Sequence, residues 1–377
     1  MNDRIIIGDA LQSLKTLPDE SVHCVVTSPP YWGLRDYGVA GQLGREKTPE
    51  VYIAHMIGVF GEVKRVLRSD GTLWCNMGDS YASGGRGTND HHSEKIGIGT
   101  ANAQALGPKS PPPGLKPKDL CMIPARLALA LQAAGWWLRS DIIWAKPNLM
   151  PESVTDRPTK SHEYVFLLTK SANYYFDQEA VREGYLTPED TKAKCGFGGQ
   201  KCNTEELCHS NEPGKSWKPT ASGRNLRDVW TIPTEACPEA HFATFPRKLV
   251  EPCVKAGSSE RGVCPECRAP WVRIIEKTGH VNKRESAYVP NNNPTKVDST
   301  GWAPTTKATN RWRPSCSHGL DPVPATVLDP FAGTGTVGRV ARDLGRNFIL
   351  IELNPKYLPM IEKKVCDAFC RPEVVTL

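Results

Sequence analysis

The chain has 377 residues, enough for one large α/β domain with insertions or for two domains. Lys and Arg number 47 against 41 Asp and Glu, a formal charge of +6 that permits a nucleic-acid partner without requiring one. No apolar run approaches about 18 residues, Met1–Gly8 turns polar too soon for a signal peptide, and the 13 cysteines are an odd number; these argue against a membrane span or a disulfide framework, and for a reducing, cytoplasmic compartment where clustered Cys means metal.

Arg4–Gly8 reads as a short strand ending in Gly8-Asp9, and Ala10–Leu17 as a helix apolar at Leu11, Leu14 and Leu17. Val22–Thr27 is a second strand, so this β-α-β unit should be parallel, with Asp9 and Ser28 on one rim. Asp9 there is either a ligand contact or the N-cap of the helix. The second strand runs into Ser28-Pro29-Pro30-Tyr31-Trp32. Neither proline has an N–H, and each holds the residue before it extended. The carbonyls of Ser28 and Pro29 should therefore point outward beside the flat ring of Tyr31, as a planar base with an exocyclic amino group would need. The bland reading of the same stretch is a proline-bearing turn after an edge strand.

Val51–Leu67 is an amphipathic helix stopped at Ser69-Asp70-Gly71, and Gly71–Met77 is a strand. Residues 78–118, rich in Gly, Ser and Pro, form a long loop that either orders over DNA or is a mobile surface loop. Asp119–Ala134 is a helix, Trp136–Trp144 and Glu163–Thr169 are strands, and Tyr174-Tyr175-Phe176 is a candidate edge. Periodicity disappears from Gln178 to about Asp228, a mildly basic module suited to DNA contact or to a linker. Pro246–Ala256 is helical, 260–324 is an insertion, and the chain closes as strand Thr326–Leu328, helix Val337–Leu344, strand Phe348–Ile351 and a helix from Lys356 to Ala368.

Strand, Gly-rich turn, helix, strand, acid is the order of a nucleotide-type β-α-β unit. In Asp329-Pro330-Phe331-Ala332-Gly333-Thr334-Gly335-Thr336 the glycines permit close approach of a ligand, and Glu352 ends the following strand, placed for ribose hydroxyls. The run lacks the pyrophosphate fingerprint and the Lys-Ser/Thr pair of a triphosphate loop. Asp329 would repel phosphate but accept from an α-ammonium group. S-adenosylmethionine, an adenosine with an amino-acid tail and no phosphate, fits better than NAD or ATP.

Together, Thr27–Trp32 and Asp329–Thr336 resemble the DNA amino-methyltransferases that modify N4 of cytosine or N6 of adenine, in the circularly permuted β class. The resemblance implies an α/β, Rossmann-like S-adenosylmethionine-dependent methyltransferase fold with a seven-stranded, mostly parallel sheet. It implies a catalytic half at 1–177 (with the loop 78–118), a target-recognition region at 178–228, and a cofactor half at 229–259 and 325–377. By it Ser28, Pro29, Pro30 and Tyr31 form the catalytic loop. Asp329, Phe331, Gly333 and Gly335 would line the methionine side of the cofactor, Glu352 would hold the ribose, Asp9 would sit near the adenine, and Phe245-Pro246 would close over it. Asp141–Asn148 would lie beside the target base. Ser at the head of the Pro-Pro-Tyr loop is typical of the cytosine-N4 enzymes. The implied partners are double-stranded DNA and a cognate restriction enzyme, in a bacterial, archaeal or phage setting.

The target amine lies inside a duplex and must flip out; Tyr31 would stack on the base while Ser28 and the Ser28 and Pro29 carbonyls accept from the amino group, and methyl transfer would be direct displacement. C5 methylation would need a Cys nucleophile after Pro in the catalytic loop; Pro252-Cys253 lies in a predicted helix and reads as core. In the insertion, Cys264-Pro265-Glu266-Cys267 and Cys316-Ser317-His318 supply three thiolates and an imidazole for a structural Zn²⁺, holding a zinc-ribbon-like module at 260–324. Cys195, Cys202 and Cys208 with His209 form a looser group. The alternatives are adenine-N6 methylation, a DNA-binding protein without catalysis, and methylation of RNA or a protein glutamine.

Overall fold

The computed structural model describes residues 3–34, 36–82, 111–149, 151–184, 224–235, 245–278, 305–366 and 371–377. They divide into a larger unit, Met1–Asp177 with Arg227–Trp271 and Pro314–Leu377, and a smaller one, Gln178–Leu226 with Val272–Arg313. In chain order the elements are β1 (Arg4–Ile7), α1 (Ala10–Lys15), β2 (Val22–Thr27), α2 (Pro49–Val66), β3 (Leu67–Met77), α3 (Ile123–Ala133), β4 (Trp137–Ala145), β5 (His162–Thr169) and β6 (Val229–Thr231). Then come α4 (Arg247–Gly257), β7 (Trp271–Thr278), β8 (Thr305–Pro314), β9 (Thr326–Asp329), α5 (Thr336–Asp343), β10 (Asn347–Glu352), α6 (Leu358–Val365) and β11 (Glu373–Thr376). Among the described residues no helix is long and apolar enough to cross a membrane.

The larger unit is built on a nine-stranded sheet in the order β11-β1-β10-β9-β2-β3-β5-β4-β6. All pairings are parallel except those of β5 with β3 and β4. Every residue of β2 and β9 is buried, the mark of central strands covered on both faces. On α2 the buried residues Tyr52, Met56, Val59, Phe60, Val63 and Val66 recur at three- and four-residue steps and form one face. In the smaller unit β7 and β8 pair as a two-stranded ribbon.

The order has one consequence for function. β2 and β9, about 300 residues apart in sequence, are neighbours, with Cys24 opposite Val327 and Val25 opposite Leu328. Their C-terminal ends deliver Ser28 and Pro330 to the same rim, where open α/β sheets bind ligands.

Several expectations need correction. The sheet has nine strands, not seven, because β6 pairs with Ile143–Ala145 and β11 with Arg4–Ile7. These strands of three and four residues have too little sequence to show alternation; a free sheet edge recruits them. Tyr174–Phe176 is not an edge strand. Tyr175 donates its N–H to Asp70 O, the Arg139 guanidinium lies over the Tyr174 ring, and Phe176 packs on Trp74. The helix expected from Asp119 begins at Ile123, whose N–H is capped by Asp79 Oδ1 at 2.9 Å. Pro124 then sits in the first turn, where its missing N–H costs nothing. The last helix ends at Val365. The ends of the 78–118 loop pair through Ala82, Lys118, Ser80 and Cys121, while 83–110 lie outside the described residues. So do 185–223, including Cys195, Cys202, Cys208 and His209.

Candidate active site

One cavity runs along the rim of the larger unit and is lined at one end by Ser28, Pro29, Pro30 and Tyr31 and at the other by Phe331, Gly333 and Glu352. The loop after β2 is stiffened from several sides. Tyr52 on α2 donates its hydroxyl to Pro30 O at 2.8 Å, and the buried Trp32 donates its indole N–H to Glu46 O at 2.9 Å. Among the described residues no donor reaches the carbonyls of Ser28 or Pro29. They remain acceptors at the cavity wall, as the two prolines imply.

The Tyr31 ring is fixed by its neighbours. A Cβ on Gly78 would come within 2.5 Å of the ring. Its hydroxyl lies 2.8 Å from Glu163 Oε2 and 2.9 Å from Asn76 Oδ1, and Ser28 Oγ lies 3.3 Å from both Tyr31 Oη and Asn76 Oδ1. Asn76 Nδ2 donates to Glu163 Oε2 at 3.2 Å and to Tyr164 O at 3.1 Å. Lys146 pairs with Glu163 Oε1 and sits 4.2 Å above the Trp144 ring. Asn76, Trp144, Lys146 and Glu163 all line the cavity, and none of the four was singled out as a site residue from the sequence. Trp144 and Lys146 fall within the Asp141–Asn148 stretch, but Asp141 itself faces a different groove. The only sequence signal for Asn76 and Glu163 is their place at the ends of β3 and β5, polar residues in otherwise apolar strands.

At the other end, Gly333 adopts φ +53 and has nothing within 4 Å of where a Cβ would stand, so the backbone is open to a ligand. The Glu352 carboxylate accepts Gly333 N–H and Asn354 N–H, both at 2.8 Å. Burial raises its pKa to about 7 against the opposing pull of these N–H groups. Asp9 lines the cavity and also N-caps α1 through Gln12 N–H. Phe245 lines the cavity; Pro246 does not, and instead opens α4 by accepting from Leu249 and Val250. Gly335 is not on the wall either: its φ of +79 starts α5, and a Cβ there would meet Ile361 at 3.1 Å.

Asp329 is fully buried beneath the cavity, where burial raises its carboxyl to about 7. Oδ1 accepts Thr27 Oγ–H at 2.7 Å and Phe331 N–H at 3.1 Å, tying β2 to β9, while Oδ2 has no partner among the described residues. An orphaned acid under the turn, a glycine cradle and a second acid at the end of β10 together suit a ligand with an ammonium group and a ribose. The residues present therefore fit S-adenosylmethionine.

Beside His23 and Arg68, near the N-terminal ends of β2 and β3, the ligand atoms of Cys264, Cys267, Cys316 and His318 gather within 4.8 Å of one another. Cys264 Sγ and His318 Nδ1 are 3.6 Å apart, the edge expected of a tetrahedron with Zn–S and Zn–N bonds of about 2.3 and 2.1 Å. The N–H groups of Cys267 and Glu266 lower the Cys264 thiol to about 6, favouring thiolate. The donor set fits Zn²⁺. The knuckle is pinned to the sheet: Arg68 donates to Cys267 O at 2.8 Å, and His23 contacts Arg268 O at 3.2 Å while accepting Thr326 N–H at 3.0 Å.

A permuted α/β fold whose rim cavity joins the Ser28–Tyr31 loop to the glycine turn belongs to the S-adenosylmethionine-dependent DNA amino-methyltransferases. The chain belongs to the N6/N4 DNA methylase family, whose sequence model matches residues 22–264 and 322–363; the unmatched interval holds Cys267, Cys316 and His318. It is 40% identical over 351 residues to the Type II methyltransferase M.Cfr9I of Citrobacter freundii, covering 93% of this chain and 83% of that protein. It is 38% identical over 362 residues to M.SmaI of Serratia marcescens, covering 96% and 90%. Among solved structures, the fold is similar to PvuII DNA methyltransferase (cytosine-N4-specific), with a TM-score of 0.54, 15% identity and coverage of 98% and 89%. The enzyme acts on the exocyclic amine of cytosine N4 or adenine N6 in a site-specific manner.

Proposed function

We propose that the chain methylates N4 of cytosine in double-stranded DNA. The observation that carries this reading is Ser28 at the head of the Pro-Pro-Tyr loop, next to two carbonyls with no donor among the described residues and to the Tyr31 ring. The base flips out of the duplex and stacks on Tyr31. The Ser28 side chain and the Ser28 and Pro29 carbonyls accept from the amino hydrogens and hold the nitrogen still. Bound S-adenosylmethionine supplies an electrophilic sulfonium methyl. Glu352 holds the ribose, Asp9 sits near the adenine, Phe245-Pro246 flank the cofactor, and Phe331, Gly333 and Gly335 shape the turn. Asp329 accepts from the α-ammonium group from below.

In the same reading 178–228 recognises the target sequence, and 260–324 is braced by zinc. Similarity to Type II methyltransferases supports a cognate restriction enzyme as partner. Buried free thiols at Cys24, Cys75, Cys121 and Cys253 suit a reducing cytoplasm. The test is to incubate unmethylated genomic DNA with methyl-labelled S-adenosylmethionine and digest it to nucleosides. N4-methylcytosine is expected; label confined to N6-methyladenine would replace this reading with the adenine one.

A further inference from the structure

We propose that Glu163 is a positioning residue that lends Ser28 the negative charge a serine lacks, acting through the Tyr31 hydroxyl. The proposal rests on the reading that Ser28 faces the target amine. A serine hydroxyl is a neutral acceptor, weaker than an ionised one, yet the nitrogen it holds becomes cationic during transfer. The nearest carboxylate among the residues lining that end of the cavity is Glu163, 135 residues away in sequence by the difference of the two numbers.

Ser28 Oγ–H has two acceptors at 3.3 Å, Tyr31 Oη and Asn76 Oδ1, and the relay uses the arrangement in which it turns to Tyr31. Lys146 holds Glu163 Oε1, and Asn76 Nδ2 donates to Oε2. The Tyr31 hydroxyl has one proton and two acceptors, Glu163 Oε2 at 2.8 Å and Asn76 Oδ1 at 2.9 Å. The ionised acceptor is favoured. With its proton turned to Glu163, Tyr31 Oη accepts from Ser28 Oγ–H at 3.3 Å. The Ser28 hydroxyl then presents lone pairs to the cavity, polarised by the carboxylate two bonds further on. The Glu163 and Lys146 side chains are only 17% and 14% exposed, so solvent screens this field weakly.

The same line can take the proton. As the amine nitrogen bonds to the methyl carbon, the carbon–sulfur bond breaks and its electron pair stays on sulfur. The nitrogen is then cationic. One N–H proton passes to Ser28 Oγ, the Ser28 proton to Tyr31 Oη, and the Tyr31 proton to Glu163 Oε2. The product amine is neutral, Glu163 is a carboxylic acid, and Lys146 remains an ammonium until the proton leaves to water.

The experiment compares single-turnover rates of wild type, Glu163→Gln, Glu163→Asp, Tyr31→Phe, the Glu163→Gln/Tyr31→Phe double variant and Ser28→Asp/Glu163→Gln. Cofactor binding by calorimetry serves as the check of folding. Glu163→Gln and Tyr31→Phe should each slow transfer by about 100-fold with cofactor affinity within about 2-fold, and the double variant should be no slower than the worse single. Glu163→Asp, which keeps the charge, should stay within about 10-fold of wild type, and Ser28→Asp should recover at least about 10-fold in the Glu163→Gln background. A Glu163→Gln rate within about 3-fold of wild type, multiplying losses, or no recovery by Ser28→Asp would overturn the proposal. Nucleoside analysis of the wild-type product separates the two ideas: adenine label removes the cytosine reading and leaves the relay to be judged by the variants, and no transfer at all removes both.

Discussion

The carboxylate of Glu352, the last residue of β10, accepts the backbone N–H of Gly333 at 2.8 Å, so the acid ending one strand holds the glycine turn that follows its neighbour. The same carboxylate lines the cavity with its pKa raised to about 7 by burial. Below that pH it is protonated and loses acceptor capacity for both the turn and a ribose. Affinity for S-adenosylmethionine should therefore rise as pH increases from 6 to 8, by about 3- to 10-fold. Calorimetric titration across that range checks it, and Glu352→Gln should bind weakly with a flatter pH dependence.

Gly78 decides where the Tyr31 ring lies. A methyl group at Gly78 would stand 2.5 Å from the ring, whose hydroxyl is anchored elsewhere. Gly78→Ala should displace the ring and lower the methyl-transfer rate by about 10-fold or more while cofactor affinity stays near wild type. Equal losses in cofactor binding and transfer would show a wider disturbance.

His23 is buried and neutral, with its pKa lowered to about 4 from 6.5 by burial and by the nearby Arg68. Unfolding exposes it, so between these values the unfolded chain binds more protons. The stabilisation is complete above pH 6.5 and is lost as pH falls toward 4, an order of about 3 kcal/mol. Denaturant unfolding at pH 7.5 and 4.5 should differ in that direction, and His23→Gln should reduce the difference.

The metal centre should be structural. Purified chain is expected to carry about one zinc per molecule, lost in Cys316→Ser and on strong chelation. Because Arg68 and His23 grip carbonyls of the knuckle, metal loss should lower the thermal midpoint by about 5 °C or more. Metal analysis and calorimetric melting check both, and an unchanged midpoint would argue that the four ligands idle.

Much of this site was legible before any coordinates. The prolines after Thr27 foretold carbonyls without a backbone donor, and the Gly-rich turn with Glu352 foretold a cofactor without phosphate. The placement of Gly335 and Pro246 was read less well. Both belong to their motifs in sequence, yet one makes room for Ile361 and the other starts a helix. A motif shows that a residue type is required; it does not say whether the neighbour requiring it is ligand or protein.

By itself the sequence determined the local pieces: the strand apolar enough to be buried on both faces, the loop whose prolines leave carbonyls without local donors, and the Cys264–Cys267 and Cys316–His318 pairs each close enough to share a metal. These follow from short-range rules, because periodicity, proline geometry and thiol spacing act within a few residues. Only the tertiary structure decided that β2 lies beside β9, that Asp329 sits under the wall with one oxygen on Thr27, and that Asn76, Lys146 and Glu163 surround Tyr31. Those relations depend on strand order and register, which are set by long-range packing and leave no periodic trace along the chain.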